Sequence, residues 1–217
     1  MIAKDVKIIE YPARVERWNT VTHAVGVLLG VAVTVLLILK SDTAQKTVAS
    51  VIYGLSFIAV YAVSAVYHGL PTGEAKRIAR VIDHSTVPLL IAGTSTPCAL
   101  VTLYEVSFAH CVLVTVISWF CFFFGMFAKL FFFKKLRAAT MTVYIVGGGV
   151  MLASAIPLLD RISIAAFSGL LIGCLVYVAG AILCGLGIKR PALHAVFHLF
   201  VLAGSLIHFY TIYSYVI

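Results

Sequence analysis

Two histidines four residues apart, His194 and His198, open a long apolar run, HAVFHLFVLAGSLIHF, which carries a third at His208. In a helix, residues four apart differ by about 40° in azimuth and one turn in height, so both imidazoles can reach one metal ion. Imidazoles in an apolar helix are costly unless paired or coordinated, which makes such a pair a functional site by default. Three neutral imidazoles and an open fourth position form the ligand set of a catalytic zinc ion. Its bound water has a pKa of about 7 and can attack a carbonyl as hydroxide. His68, at the end of SAVYH (Ser64 to His68), is the first choice for the third ligand, and His84 is its rival because it adjoins Asp83. Asp83 then offers a carboxylate to hold the water or orient a ligand. Ser64, one turn before His68, offers a hydroxyl to the substrate oxygen or the water. A plainer reading stands beside this one. Histidines in membrane helices often only hydrogen-bond within packed interfaces, and spacing alone does not choose between the two.

The elements that must position these residues are legible in the charge distribution. The chain is 62% hydrophobic and 11% charged, which does not suit a soluble globular protein. Its Asp, Glu, Lys and Arg residues cluster, leaving seven windows without any: 18–39, 47–73, 84–104, 106–128, 138–159, 162–188 and 191–217. Each is long enough for a helix to cross the hydrocarbon core, for which about 20 residues suffice. The runs are continuously apolar rather than alternating, which excludes a β-barrel. The fold expected is an all-α membrane protein, a bundle of seven transmembrane helices over residues 18–217. A short interfacial segment, residues 1–17, precedes it. Window 18–39 has no convincing small-residue cleavage site, so a cleaved signal peptide is not expected.

The net charge of +8 is distributed by loop. Thirteen Lys and Arg residues flank one side of the expected bundle, among them Lys4, Lys76, Arg80, Lys129 and Lys189, whereas Lys40, Lys46 and Arg161 occupy the other. The positive-inside rule then places the N-terminus in the cytoplasm and the C-terminus outside. Basic loops of this kind are topology determinants and contacts for anionic headgroups, not a nucleic-acid surface. With that topology His23, His68, His84, His194 and His198 share one level near the cytoplasmic face. His110 falls in an outer loop, where solvation is expected. His208 lies about 15 Å from His198 along the axis, too far for one coordination sphere, and lines the interior instead.

Glu16, Asn19 and His23 recur at spacings of three and four at the entry to the first span. They read either as part of a polar site or as a network anchoring that span. The run Phe120 to Phe127 reads as lipid-facing or packing surface, Gly147 to Gly149 as close helix contact or local flexibility, and Gly169 and Gly173 as a weak G-x-x-x-G dimerisation signal. Pro88 and Pro97 can kink the third span. Five cysteines (Cys98, Cys111, Cys121, Cys174, Cys184) without C-x-x-C spacing read as small hydrophobes.

Taken together, ERWNTVTH (Glu16 to His23), SAVYH, DHSTVPLLIAGTSTP (Asp83 to Pro97) and HAVFHLFVLAGSLIHF resemble the hemolysin III family. That family is the bacterial branch of the progestin and adiponectin receptor family, within a ceramidase-like superfamily. The resemblance covers all seven spans and implies zinc held by His68, His194 and His198, with Asp83 and Ser64 at the reacting side. It also implies a multi-pass protein of the plasma membrane, linked to membrane-lipid homeostasis, with its N-terminus inside. Three functions are compatible: a zinc-dependent hydrolase of a ceramide-like or acyl-amide lipid, a zinc-stabilised lipid sensor without turnover, and a cytolytic pore-former. The last has little support, since no row of charges lines a span. A retinal protein is excluded, because window 191–217 contains no Schiff-base lysine.

Overall fold

The computed structural model describes residues 6–187 and 190–217; residues 1–5 of the interfacial segment, with Lys4, and Lys189 of the basic count lie outside them. Seven long helices make the structure: α1 (Ala13–Lys40), α2 (Ala44–Gly69), α3 (Glu74–Val106), α4 (Phe108–Phe132), α5 (Arg137–Ala155), α6 (Ile164–Gly187) and α7 (Pro191–Tyr215). No strand occurs among the described residues. Six of these helices are long and apolar enough to cross a membrane. The exception is α5, whose apolar run ends in a 3₁₀ turn, Ile156–Leu158. The protein is an all-helical, multi-pass membrane protein.

Two helices run furthest beyond the charge-free windows. α1 begins at Ala13, directly after Pro12, whose carbonyl accepts from the backbone N–H groups of Val15 and Glu16. α3 begins at Glu74, so the basic stretch expected as a loop is helical, with an Arg77–Glu74 ion pair of 2.9 Å on its first turn. Charges mark where apolar surface ends, not where helical hydrogen bonding ends. α3 continues through Pro88, and after Pro97 it widens into a π-helical turn, Cys98–Leu103. A proline lacks the N–H that completes the α-helical ladder, and π turns are one way a helix absorbs the gap.

α1 packs on α2 and on α7, α2 on α3, α3 on α4, and α6 on α7. Small residues permit these approaches, as expected where lipid supplies no hydrophobic drive between helices. A Cβ on Gly26 or Gly30 of α1 would strike Tyr61 or Phe57 of α2. Gly169 and Gly173 of α6 face Thr211 and His208 of α7, so the G-x-x-x-G pair forms a seam within the chain. Phe120, Phe123 and Phe127 point outward, each more than half exposed, which is the lipid-facing alternative read from that aromatic run.

The interior between α2 and α7 is filled by Tyr53, Phe57, Tyr61 and Ile212. Its phenols are not left bare. Tyr61 Oη and Tyr177 Oη each lie 2.8 Å from Ser205 Oγ, and Tyr53 Oη donates to the Ser205 carbonyl at 3.2 Å. His208 is buried beside this knot with Nε2 3.1 Å from the Leu170 carbonyl.

Candidate metal centre

Four helix termini meet at one end of the bundle. α2 brings His68 in its last turn, one residue before Gly69 ends the helix. The short connection to α3 places Lys76 and Asp83 alongside. α7 opens on Pro191, pre-set for the first helical position, which puts His194 and His198 on successive turns. α1 contributes Glu16, Asn19 and His23 from one face of its first three turns.

His68, His194 and His198 converge. Each offers one ligand atom, and these atoms lie within 4.8 Å of one another, close enough to share one ion. The ring centroids are 5.5 Å apart for His68 and His194, 5.0 Å for His68 and His198, and 4.6 Å for His194 and His198. The outward nitrogens of two rings are already engaged. Nδ1 of His68 lies 2.7 Å from Oε2 of Glu16, and Nδ1 of His198 lies 2.5 Å from Nε2 of His23. Nε2 of both His68 and His198 is buried with no hydrogen-bond partner. A buried imidazole nitrogen without a partner is costly, and a metal ion satisfies it. The donor set therefore fits a metal.

Residues 12–209 match the protein family described as haemolysin-III related. The chain belongs to the haemolysin-III family. It is 34% identical over 202 residues to "Hemolysin-3" of Bacillus cereus, covering 92% of this chain and 90% of that protein. Over 200 residues it is 35% identical to the "Hemolysin-3 homolog" of Bacillus subtilis (strain 168), covering 91% and 92%.

In this haemolysin-III family member the remaining candidates separate. Asp83 sits beside Ser64, within electrostatic reach of His68 and Arg80. His84 turns away from the three converging rings and meets Phe133 edge-on, with ring centroids 5.3 Å apart. His208 is deep between α6 and α7. His110 is half-buried, not simply solvated, with Nδ1 2.8 Å from Ser107 Oγ at the start of α4.

Three groups in the family member's centre make contacts that spacing did not reveal. Glu16 is the carboxylate bonded to His68. Lys76, expected at the headgroups, is only 3% exposed; its ammonium sits 2.8 Å from Glu16 Oε1 and donates to the Leu70 carbonyl at 2.9 Å. A buried ammonium is tolerated because a carboxylate and the orphan carbonyls at the end of α2 receive its protons. Tyr11 stacks on His194 at 4.8 Å between centroids and 15° between planes. It precedes α1, and burial, reinforced by Tyr67, pushes its phenol above the usual range, so it stacks as a neutral ring. Asn19 and His23, read as a polar site or an anchor, are both in contact with the converging histidines. Only the basic-to-acidic pairing of Glu16 and Lys76 hints at this in the sequence, and their 60-residue separation hides it.

Proposed function

We propose that this protein is a zinc-dependent membrane hydrolase acting on a lipid amide or ester, of ceramide-like or acyl-amide type. The observation that carries the reading is the pair of buried, unpartnered Nε2 atoms on His68 and His198, facing the same space as His194. His68 and His198 would hold the ion through Nε2, together with His194. Bound there, zinc supplies a water acidified to near neutrality and polarises a carbonyl. With the ion bound, Asp83 would hold a proton on its carboxylate and return it to the leaving amine or alkoxide. Ser64, beside Asp83, donates its hydroxyl proton to the carboxylate or the substrate oxygen. The apolar helices exclude bulk water from this end of the bundle, which strengthens each of these interactions.

The excess of Lys and Arg on this side supports placing the centre at the cytoplasmic face of the plasma membrane, open to inner-leaflet lipids. The test uses the full chain purified in detergent. Metal analysis measures zinc per chain, and ceramide and acyl-amide substrates are assayed with and without chelation. One zinc per chain with chelator-sensitive release of fatty acid supports the hydrolase. Stoichiometric zinc without turnover replaces it with the lipid-sensor reading, and liposome leakage that persists after zinc removal points to pore formation.

A further inference from the structure

Each of the three converging histidines is backed by a residue from the same short stretch, residues 11–23, and none of that stretch belongs to the converging group itself. Tyr11 stacks on His194, Glu16 and Asn19 meet Nδ1 of His68, and His23 meets Nδ1 of His198. Glu16, Asn19 and His23 lie at i, i+3 and i+7, one face of α1. We propose that this face is a positioning element that sets which nitrogen His68 and His198 present to a metal ion. The inference rests on the metal-site reading above.

The reasoning is one of proton placement. A neutral imidazole carries one N–H, and the nitrogen without it is the only one that can bind a metal. Glu16 can only accept at 2.7 Å, so the His68 proton sits on Nδ1 and Nε2 is left as the donor. Asn19 Nδ2 is placed 3.3 Å from the same Nδ1 while its Oδ1 has no partner. With the amide turned over, Oδ1 shares the Nδ1 proton. For His198 to offer Nε2, its Nδ1 proton must point to Nε2 of His23. Lys76 completes the arrangement by holding the second oxygen of Glu16 at 2.8 Å, which fixes the carboxylate's orientation. Partners of this kind orient a ligand and raise its basicity, and their loss costs about 10–100-fold in metal affinity.

The experiment measures zinc affinity by chelator competition, and the visible spectrum of the cobalt-substituted protein, for wild type, Glu16→Gln and His23→Phe. Because Glu16→Gln strands a buried ammonium, Glu16→Gln/Lys76→Met is included, removing both charges together. Weakening of about 10–100-fold with a shifted cobalt band in the double variant and in His23→Phe, their metal-free unfolding temperatures holding near wild type, is the expected result. Affinity and cobalt spectra matching wild type in those variants overturn the inference while the metal site stands. A wild-type protein that takes up no metal overturns both.

Discussion

Oε2 of Glu16 lies 2.7 Å from Nδ1 of His68, joining the first turn of the first helix to the last turn of the second. The contact spans 52 residues and closes the end of the bundle at which α7 delivers His194 and His198. It ties the packing of the first two helices to the candidate metal centre, because one contact serves both.

The three histidines are expected to be unequal to their neighbours on deletion. His198→Ala should reduce zinc from one per chain to background, beyond the roughly 10–100-fold weakening of an outer-layer change. His84→Ala, at the ring that faces Phe133, should leave zinc content unchanged. Elemental analysis of both purified variants checks this, and equal loss in the two would return His84 to candidacy.

Tyr11 covers one face of His194, so its removal should loosen that ring. Stacked rings contribute about 0.5–1.5 kcal/mol, which is roughly a two- to tenfold change in rate. Tyr11→Ala should release zinc to excess chelator faster by that factor, with overall helicity unchanged. Stopped-flow chelation measures it.

Ser205 Oγ bonds to two phenols, those of buried Tyr61 and half-buried Tyr177. Ser205→Ala strands both at a depth where no water replaces the serine. Hydrogen bonds of this kind between membrane helices contribute about 0.6–1.7 kcal/mol, and a loss near the upper end is expected. Denaturant titration in mixed micelles reads it; an unaltered midpoint would show that the two phenols re-pair.

Gly173 allows the His208 ring to sit against α6, and any Cβ there would overlap imidazole atoms. His208 is held in place by the Leu170 carbonyl, so it cannot simply swing aside. Gly173→Val should destabilise the α6–α7 seam by about 1–3 kcal/mol. Gly185→Val, where no atom lies within 4 Å of the added carbon, should cost far less. Thermal unfolding of the pair tests the contrast.

The sequence by itself determined the helices and the identity of the three histidines that converge. Long windows without charge can only be accommodated by crossing lipid as helices, since every backbone polar group must then be satisfied within its own segment. A histidine pair at i, i+4 must share a face whatever it packs against, so His194 and His198 were adjacent before any tertiary contact was known. Tertiary structure alone decided how each helix is rotated and how far it slides against its neighbours. Those two variables brought Glu16 to His68, drew Lys76 out of the headgroup side into an ion pair, and turned His84 toward Phe133. They also packed Gly169 and Gly173 against α7. The physical reason is that a helix's own periodicity fixes which residues share a face, but side-chain packing between helices fixes what that face meets. His194 and His198 were readable because their spacing is local; the carboxylate that prepares their partner was not, because it comes from another helix.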